Sequence, residues 1–163
     1  MNTVIRHTET GDLAGVMRIY EYAREQMKLS GNPDQWGDTK PGEDIIRKDI
    51  ERKNSYVIET GGEICGVFTF VIGEDPTYKT IEGKWINDDV YGTIHRIAGN
   101  GIIKGVFSEC LKFCESRIPN IKIDTHRDNK IMQHLIEKNG FEKCGVIYLE
   151  DGSTRIAYQK VLI

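Results

Sequence analysis

Apolar positions in this chain recur with two different periods, and the places where the period changes mark its elements. Thr3 to Thr8 sets Val4 and Ile5 among polar neighbours and stops before Gly11-Asp12, which predicts a first strand. From Asp12 the spacing turns helical. Leu13, Val16, Met17, Ile19, Tyr20 and Ala23 fall on one stripe, with Asp12 placed to cap the helix. Leu29 to Gly42 is rich in Gly and Pro and reads as loop, although it carries Trp36. A second helix is expected from Glu43 to about Lys53, on the apolar stripe Ile45, Ile46 and Ile50.

Beyond it the period shortens. Ser55 to Thr60 and Ile64 to Ile72 are strand-like runs joined by Gly61-Gly62, a hairpin signal. Glu74 to Asp89 is polar and turn-rich and predicts a mobile connection. Tyr91 to Ala98 reads as a strand that runs through Gly99-Asn100-Gly101 into a helix ending near Ser116. Ile121 to Thr125 is a short strand, and Asp128 to Asn139 a helix closed by Gly140. Two final strands, Glu142 to Leu149 and Thr154 to Leu162, flank the turn Asp151-Gly152. With no internal repeat or linker, residues 1–163 read as one α/β domain. The strand-helix-strand in its middle predicts two parallel neighbours with a crossing helix.

Composition narrows the function classes. A chain of 163 residues with 39% hydrophobic and 29% charged residues can bury a core. A net charge of -3 with no basic run argues against nucleic acid as partner. No apolar stretch approaches the roughly 20 residues that span a bilayer, and Met1 to Arg6 lacks the signal-peptide pattern. No membrane partner and a cytoplasmic location are therefore expected. Of the four cysteines, Cys110 and Cys114 stand one helical turn apart, but no nearby His or Cys completes a ligand set. Cys65, Cys110, Cys114 and Cys144 read as small core residues, and no metal is expected.

The segment from Tyr91 to Cys114 carries the clearest chemistry. A strand ends, glycines follow, and a helix begins whose first N–H groups lack intrahelical partners. Such a helix start attracts phosphate, and Lys104 adds a cation. A dinucleotide fingerprint is the competing interpretation, since Gly99-Asn100-Gly101 begins GxGxxG and Asp124 lies at a suitable distance for a ribose contact. Lys104 occupies the third glycine position, however, and too few residues remain for a dinucleotide fold.

Asn129 opening the last helix, Leu135 within it and Glu137-Lys138-Asn139-Gly140-Phe141 closing it resemble the GNAT superfamily of N-acetyltransferases. Arg96-Ile97-Ala98 resembles the strand before that family's coenzyme A pyrophosphate loop, and Lys104-Gly105-Val106 the end of the loop. Ser108 and Leu111 on the following helix fit, as do the opening strand and helix. The resemblance implies a single twisted mixed sheet of about seven strands with helices on both faces. It also implies an acetyl-coenzyme A-dependent N-acetyltransferase in which an amine attacks directly. The alternative is a non-catalytic domain that binds acyl-coenzyme A. Two registers suit the phosphate loop. Arg96 to Gly101 satisfies the family's Arg-x-x-Gly-x-Gly form, but it falls where the strand should still run. The register ending at Lys104-Gly105-Val106-Phe107 keeps the helix length, with Phe107 and Ile102 departing from the family's usual residues.

The resemblance thus assigns cofactor binding to Ile97, Ala98, Gly101, Lys104, Gly105, Val106, Phe107, Ser108 and Asn129. The pantetheine arm would lie between the strands ending at Ala98 and Thr125. A tyrosine that often serves this family as acid corresponds here to Ile136, so catalytic candidates shift to His95 and His126, with Tyr148 a further substitute. Tyr20, Trp36 and Thr93 are candidates for binding the acceptor, a small-molecule or peptide amine. A homodimer is possible on such a sheet.

Overall fold

The computed structural model describes residues 2–163. Eight strands and four helices follow in the order β1 (Thr3–His7), α1 (Leu13–Leu29), α2 (Glu43–Glu51), β2 (Ser55–Thr60), β3 (Glu63–Ile72), β4 (Glu82–Gly83), β5 (Gly92–Gly99), α3 (Val106–Glu115), β6 (Asn120–Thr125), α4 (Lys130–Lys138), β7 (Glu142–Tyr148) and β8 (Thr154–Val161). All eight strands join one mixed sheet in the order β1-β2-β3-β5-β6-β8-β7-β4. The strand beyond the expected seven is β4, whose Glu82 and Gly83 pair with Val146 and Gly145.

Side-chain alternation divides the sheet into two unlike faces. Ile58, Phe68, Phe70, Ile94, Ile121, Ile123 and Tyr158 point to one side, where they pack with Phe107, Cys110 and Leu111 of α3 and Ile136 of α4. On the other side Val57, Val67 and Ala98 meet Val16, Ile19 and Tyr20 of α1 and Ile46 of α2. Of the expected α2 stripe, Ile46 is buried, while Ile45 is exposed beside a cavity. Asp12 does not cap α1 with its side chain. Its carboxylate accepts from both terminal nitrogens of Arg6 and from the Glu9 N–H.

The segment between β3 and β5 is not the loose connection its polarity predicts. Trp85 donates its indole N–H to the Tyr78 carbonyl, and Ile86 N–H donates to Oε1 of the fully buried Gln159. Asn120 donates to Oδ1 of Asn87, and the buried Lys122 ammonium lies 4.0 Å from the Trp85 ring centre and 3.8 Å from that of Tyr91. Polar residues of this strap satisfy polar residues that β6 and β8 would otherwise bury unpaired.

The parallel pair expected from the strand-helix-strand unit is β5 and β6, but their ladder holds only at Gly92–Ile121 and Thr93–Lys122. Beyond those positions the two strands part. On its other edge β5 carries a bulge: Thr69 faces His95 and Val67 faces Ala98, leaving an extra residue on β5. Arg96 sits there with φ of 51°, a left-handed conformation unusual for arginine. Three contacts hold it. Tyr20 donates its hydroxyl to the Arg96 carbonyl at 2.7 Å, and the Arg96 guanidinium donates to both oxygens of Asp49 on α2 at 2.9 and 2.8 Å. Thr69 adds a hydroxyl donor to Asp49 at 2.8 Å.

Removing Asp49 strands a mostly buried guanidinium and the Thr69 hydroxyl together. Asp49→Ala is expected to cost about 3 kcal/mol in urea unfolding, whereas Thr69→Val costs about 1 kcal/mol. An Asp49→Ala midpoint equal to wild type would show that the bulge does not depend on this pair.

Candidate active site

Where β5 and β6 part, two cavities meet. One, of about 620 Å³, lies between the C-terminal half of α1, the end of β5, the start of α3 and α4. The other, of about 520 Å³, opens on the polar side of the sheet beneath the loop that carries Trp36. Met27, Ile97, Asn129 and Met132 border both.

The first cavity collects nearly all the residues expected to bind a cofactor. Ile97, Ala98, Gly101, Gly105, Val106, Phe107, Ser108 and Asn129 border it, whereas Lys104 is exposed on the loop outside. β5 continues to Gly99, so the Arg96-to-Gly101 window occupies the strand and its exit, and α3 starts only at Val106. A Cβ on Gly99 would come within 2.9 Å of Val106 Cγ2, so this glycine serves strand-to-helix packing. Gly105 is the residue before α3, with φ of 79° and no side-chain cap on the helix. The first N–H donor to find an intrahelical partner is Glu109, bonded to the Gly105 carbonyl at 3.0 Å. The amides before it remain at the positive end of the helix, bordering the cavity. The Phe107 ring turns into the core under α3, 4% exposed and packed against Phe141. A long groove ending in free helix amides fits a phosphate-bearing cofactor such as coenzyme A.

The second cavity is the more polar of the two. His95 borders it and shares a 2.8 Å contact between its Nε2 and Oδ2 of Asp75 on the strap. Burial pushes the Asp75 carboxyl up, but the hydrogen bond and charge of His95, with help from Thr77, hold it below the usual carboxylate value. Beside it Asp124 accepts from the Tyr78 hydroxyl at 2.6 Å. Burial raises Asp124 against the opposing pull of His95, Tyr78 and Arg155. Asn129 caps α4 by accepting from the Met132 N–H and donates its amide to Gln35 Oε1 at 2.9 Å. That bond draws the Trp36 loop against the helix start.

The remaining expectations divide. Trp36 borders the second cavity and stands edge-on to Tyr20. Tyr20 and Thr93, expected to bind the acceptor, are buried and border neither cavity: Tyr20 clamps the bulge, and the Thr93 hydroxyl has no partner. His126 also borders neither. Its Nδ1 accepts the Asp128 N–H at 3.0 Å, and burial, followed by the charge of Arg155, lowers its pKa. Tyr148 is exposed and donates to Glu82 at 2.6 Å. Ile136 is fully buried among core residues. Asp75, Tyr78, Asp49, Gln35 and Arg155 escaped the sequence reading. Asp75 lies in a segment with no period to read, and its partner His95 is 20 residues away.

No curated protein sequence matches the chain significantly. No metal-binding group of His, Cys, Asp or Glu occurs among the described residues, and none of their helices is long and apolar enough to cross a membrane. A sheet split at its parallel pair, with one cavity at the mouth of a helix and another across the split, has room for two molecules that meet at the gap. The chain belongs to the acetyltransferase (GNAT) family, whose model matches residues 16–141. A GNAT-family acetyltransferase of Streptococcus agalactiae is 30% identical, with 99% of this chain and 96% of that one covered at a TM-score of 0.88. The fold is also that of a GNAT-family acetyltransferase of Listeria monocytogenes, at 22% identity, coverage of 98% and 95% and a TM-score of 0.72. It is shared by a ribosomal-protein-alanine N-acetyltransferase of Brucella melitensis, at 19% identity, coverage of 98% and 99% and a TM-score of 0.62.

Two outcomes test this geometry. Gly105→Asp brings a carboxylate to the start of α3 and should weaken coenzyme A binding at least about tenfold in calorimetry. Unchanged affinity in a folded variant would remove the phosphate site from this helix. For Asp75 the sign follows from its lowered folded pKa: the pairing stabilises the fold above the unfolded value near pH ~4 and loses that contribution as pH falls through the lower folded one. Asp75→Asn should therefore unfold more readily than wild type at about pH 6, with the gap narrowing as pH falls below the ordinary carboxylate value. A gap independent of pH would mean that the carboxylate charge is not what matters.

Proposed function

We propose that the chain transfers an acetyl group from acetyl-coenzyme A to an amine held in the second cavity, by direct attack. The observation that carries this reading is the meeting of the two cavities at the open edge of β5, bordered from both sides by Ile97 and Asn129. When bound, acetyl-coenzyme A supplies an activated acyl carbon and a thiol leaving group with a pKa near ~8.5, which needs no donated proton.

The residues of the chain supply position and proton transfer. The helix amides at Val106, Phe107 and Ser108 are the donors for the pyrophosphate. N–H groups on the β5 edge that β6 leaves unpaired are the donors for a carbonyl lying along it. An ammonium must lose one proton before it attacks, for which His95 is the base bordering the acceptor cavity, and a second as the adduct collapses, which passes to the released thiolate or to solvent. When neutral His95 donates its Nε2–H in a hydrogen bond to Asp75, it keeps Nδ1 as acceptor, so Asp75 fixes the tautomer that can accept the proton.

Release of thiol from acetyl-coenzyme A in the presence of a panel of amines tests the reading. Acetyl-coenzyme A that binds but yields no thiol with any amine would leave a binding domain only. His95→Gln should lower kcat about tenfold to a hundredfold, flatten the rise of kcat/KM with pH and leave coenzyme A affinity unchanged. Asp75→Asn should lower kcat by about tenfold. Wild-type kcat and pH profile in His95→Gln would mean that solvent takes the proton.

A further inference from the structure

Arg155 is the feature of the second cavity that the proposed reaction leaves unused. It lies on β8 on the same sheet face as Asp124 and His95, as the pairings Asp124–Ala157 and Thr93–Lys122 require. The residue is only 8% exposed and borders the cavity. Its guanidinium donates to two backbone carbonyls, Thr154 at 2.8 Å and Gln35 at 3.4 Å. No carboxylate of the described residues lies within salt-bridge distance of it.

The cavity's own carboxylates are committed elsewhere. Asp49 takes the fork of Arg96, Asp75 takes His95, and Asp124 takes the Tyr78 hydroxyl. Lys40 and Arg52, exposed at the rim of the same cavity, also lack an ion pair. A buried cation without a salt bridge is costly, a cost that Asp124 and Asp151 offset only from a distance, and a planar guanidinium with free donors matches a carboxylate in two-point geometry. An anionic group entering between the basic rim and Arg155 would supply the direct ion pair, while an amine on the same molecule reached His95.

We propose that the acceptor is an amino carboxylate, a small molecule with a free amine and a free carboxylate, and that Arg155 binds the carboxylate. This deepens the acetyl-transfer reading and rests on it. The test measures acetylation of amino acids that vary the separation of the two groups: glycine, lysine, β-alanine and γ-aminobutyrate. Each is matched to an analogue without the carboxylate, either the amide or the decarboxylated amine, and phosphoethanolamine is the phosphate control.

Wild type should favour at least one amino carboxylate over its matched analogue by about tenfold or more in kcat/KM. Arg155→Met should raise KM for that substrate by about thirtyfold or more, while sparing the analogue and acetyl-coenzyme A. Arg155→Lys keeps the charge without the fork and should restore part of the preference. Melting temperatures report whether both variants fold.

The proposal is overturned by a wild type that prefers the uncharged analogues or phosphoethanolamine. It is equally overturned if Arg155→Met harms carboxylate and analogue alike, the result expected of a residue that only anchors the Gln35 loop. Should acetyl-coenzyme A bind with no amine turned over, the transfer reading fails separately. Calorimetry of the same amino acids onto wild type and Arg155→Met, with coenzyme A present, then decides the carboxylate site. No binding to wild type, or equal binding to both, rejects it.

Discussion

Two parallel strands that pair at only two positions leave main-chain donors and acceptors unsatisfied in the middle of a protein, and such groups must be met by something. In this fold the unmet edge of β5 is the floor of both cavities. Where it leaves β6, β5 is held from its other side. The bulge at Arg96 supplies that restraint. It re-aims the strand just past the last paired positions, and its left-handed backbone is fixed through the carbonyl by Tyr20 and through the side chain by Asp49. Helices α1 and α2 thereby cover the sheet and also determine where its central gap lies.

The two sheet faces follow from this arrangement. The face under α3 and α4 is apolar and closed. The opposite face carries Thr69, Thr93, His95, Lys122, Asp124, Arg155 and Gln159 at alternating positions on four neighbouring strands. A polar face of that extent is stable only if covered by partners of matching chemistry. The strap between β3 and β5 covers the half around Lys122 and Gln159 and satisfies it with Asn87, Trp85 and backbone amides. The half around His95, Asp124 and Arg155 is only partly covered, and there the second cavity remains.

What the sequence could and could not disclose reflects the range over which its signals act. Helix and strand periods are local, so the four helices, the hairpin and the parallel pair were legible to within a few residues. The start of α3 was less sharply marked, because Gly99, Gly101 and Gly105 left two registers for the loop before the helix begins at Val106. Pairings across the fold were not legible. Asp49 and Arg96 are 47 residues apart, and Gln35 and Arg155 are 120 apart, with no periodicity linking either pair. Tyr20 illustrates the limit well. Its helical spacing correctly put it on the inward stripe, but only the position of the bulge decides that its hydroxyl meets a main-chain carbonyl. The strap misled for a related reason: its polar composition reads as solvent-facing until one sees that the strands beneath it are polar as well.

The exchange at Ile136 connects these points. The resemblance to the family places an acid at this point of α4, yet here the position is fully buried with Phe107, Phe141 and Tyr158 in the core under α3 and α4. A tyrosine there would have to fit a larger ring and a hydroxyl into a core that isoleucine already fills. Under the proposed reaction the loss is tolerable, since a thiol can leave without a donated proton, whereas an ammonium cannot attack without losing one. The proton that must be handled is therefore the one on the acceptor side. That is also the side where the titratable groups lie, with His95 on β5, Asp75 on the strap and Asp124 on β6 around a single cavity. The sheet thus puts core packing at the position of the missing acid and proton chemistry on the polar part of the opposite face, where the acceptor would enter.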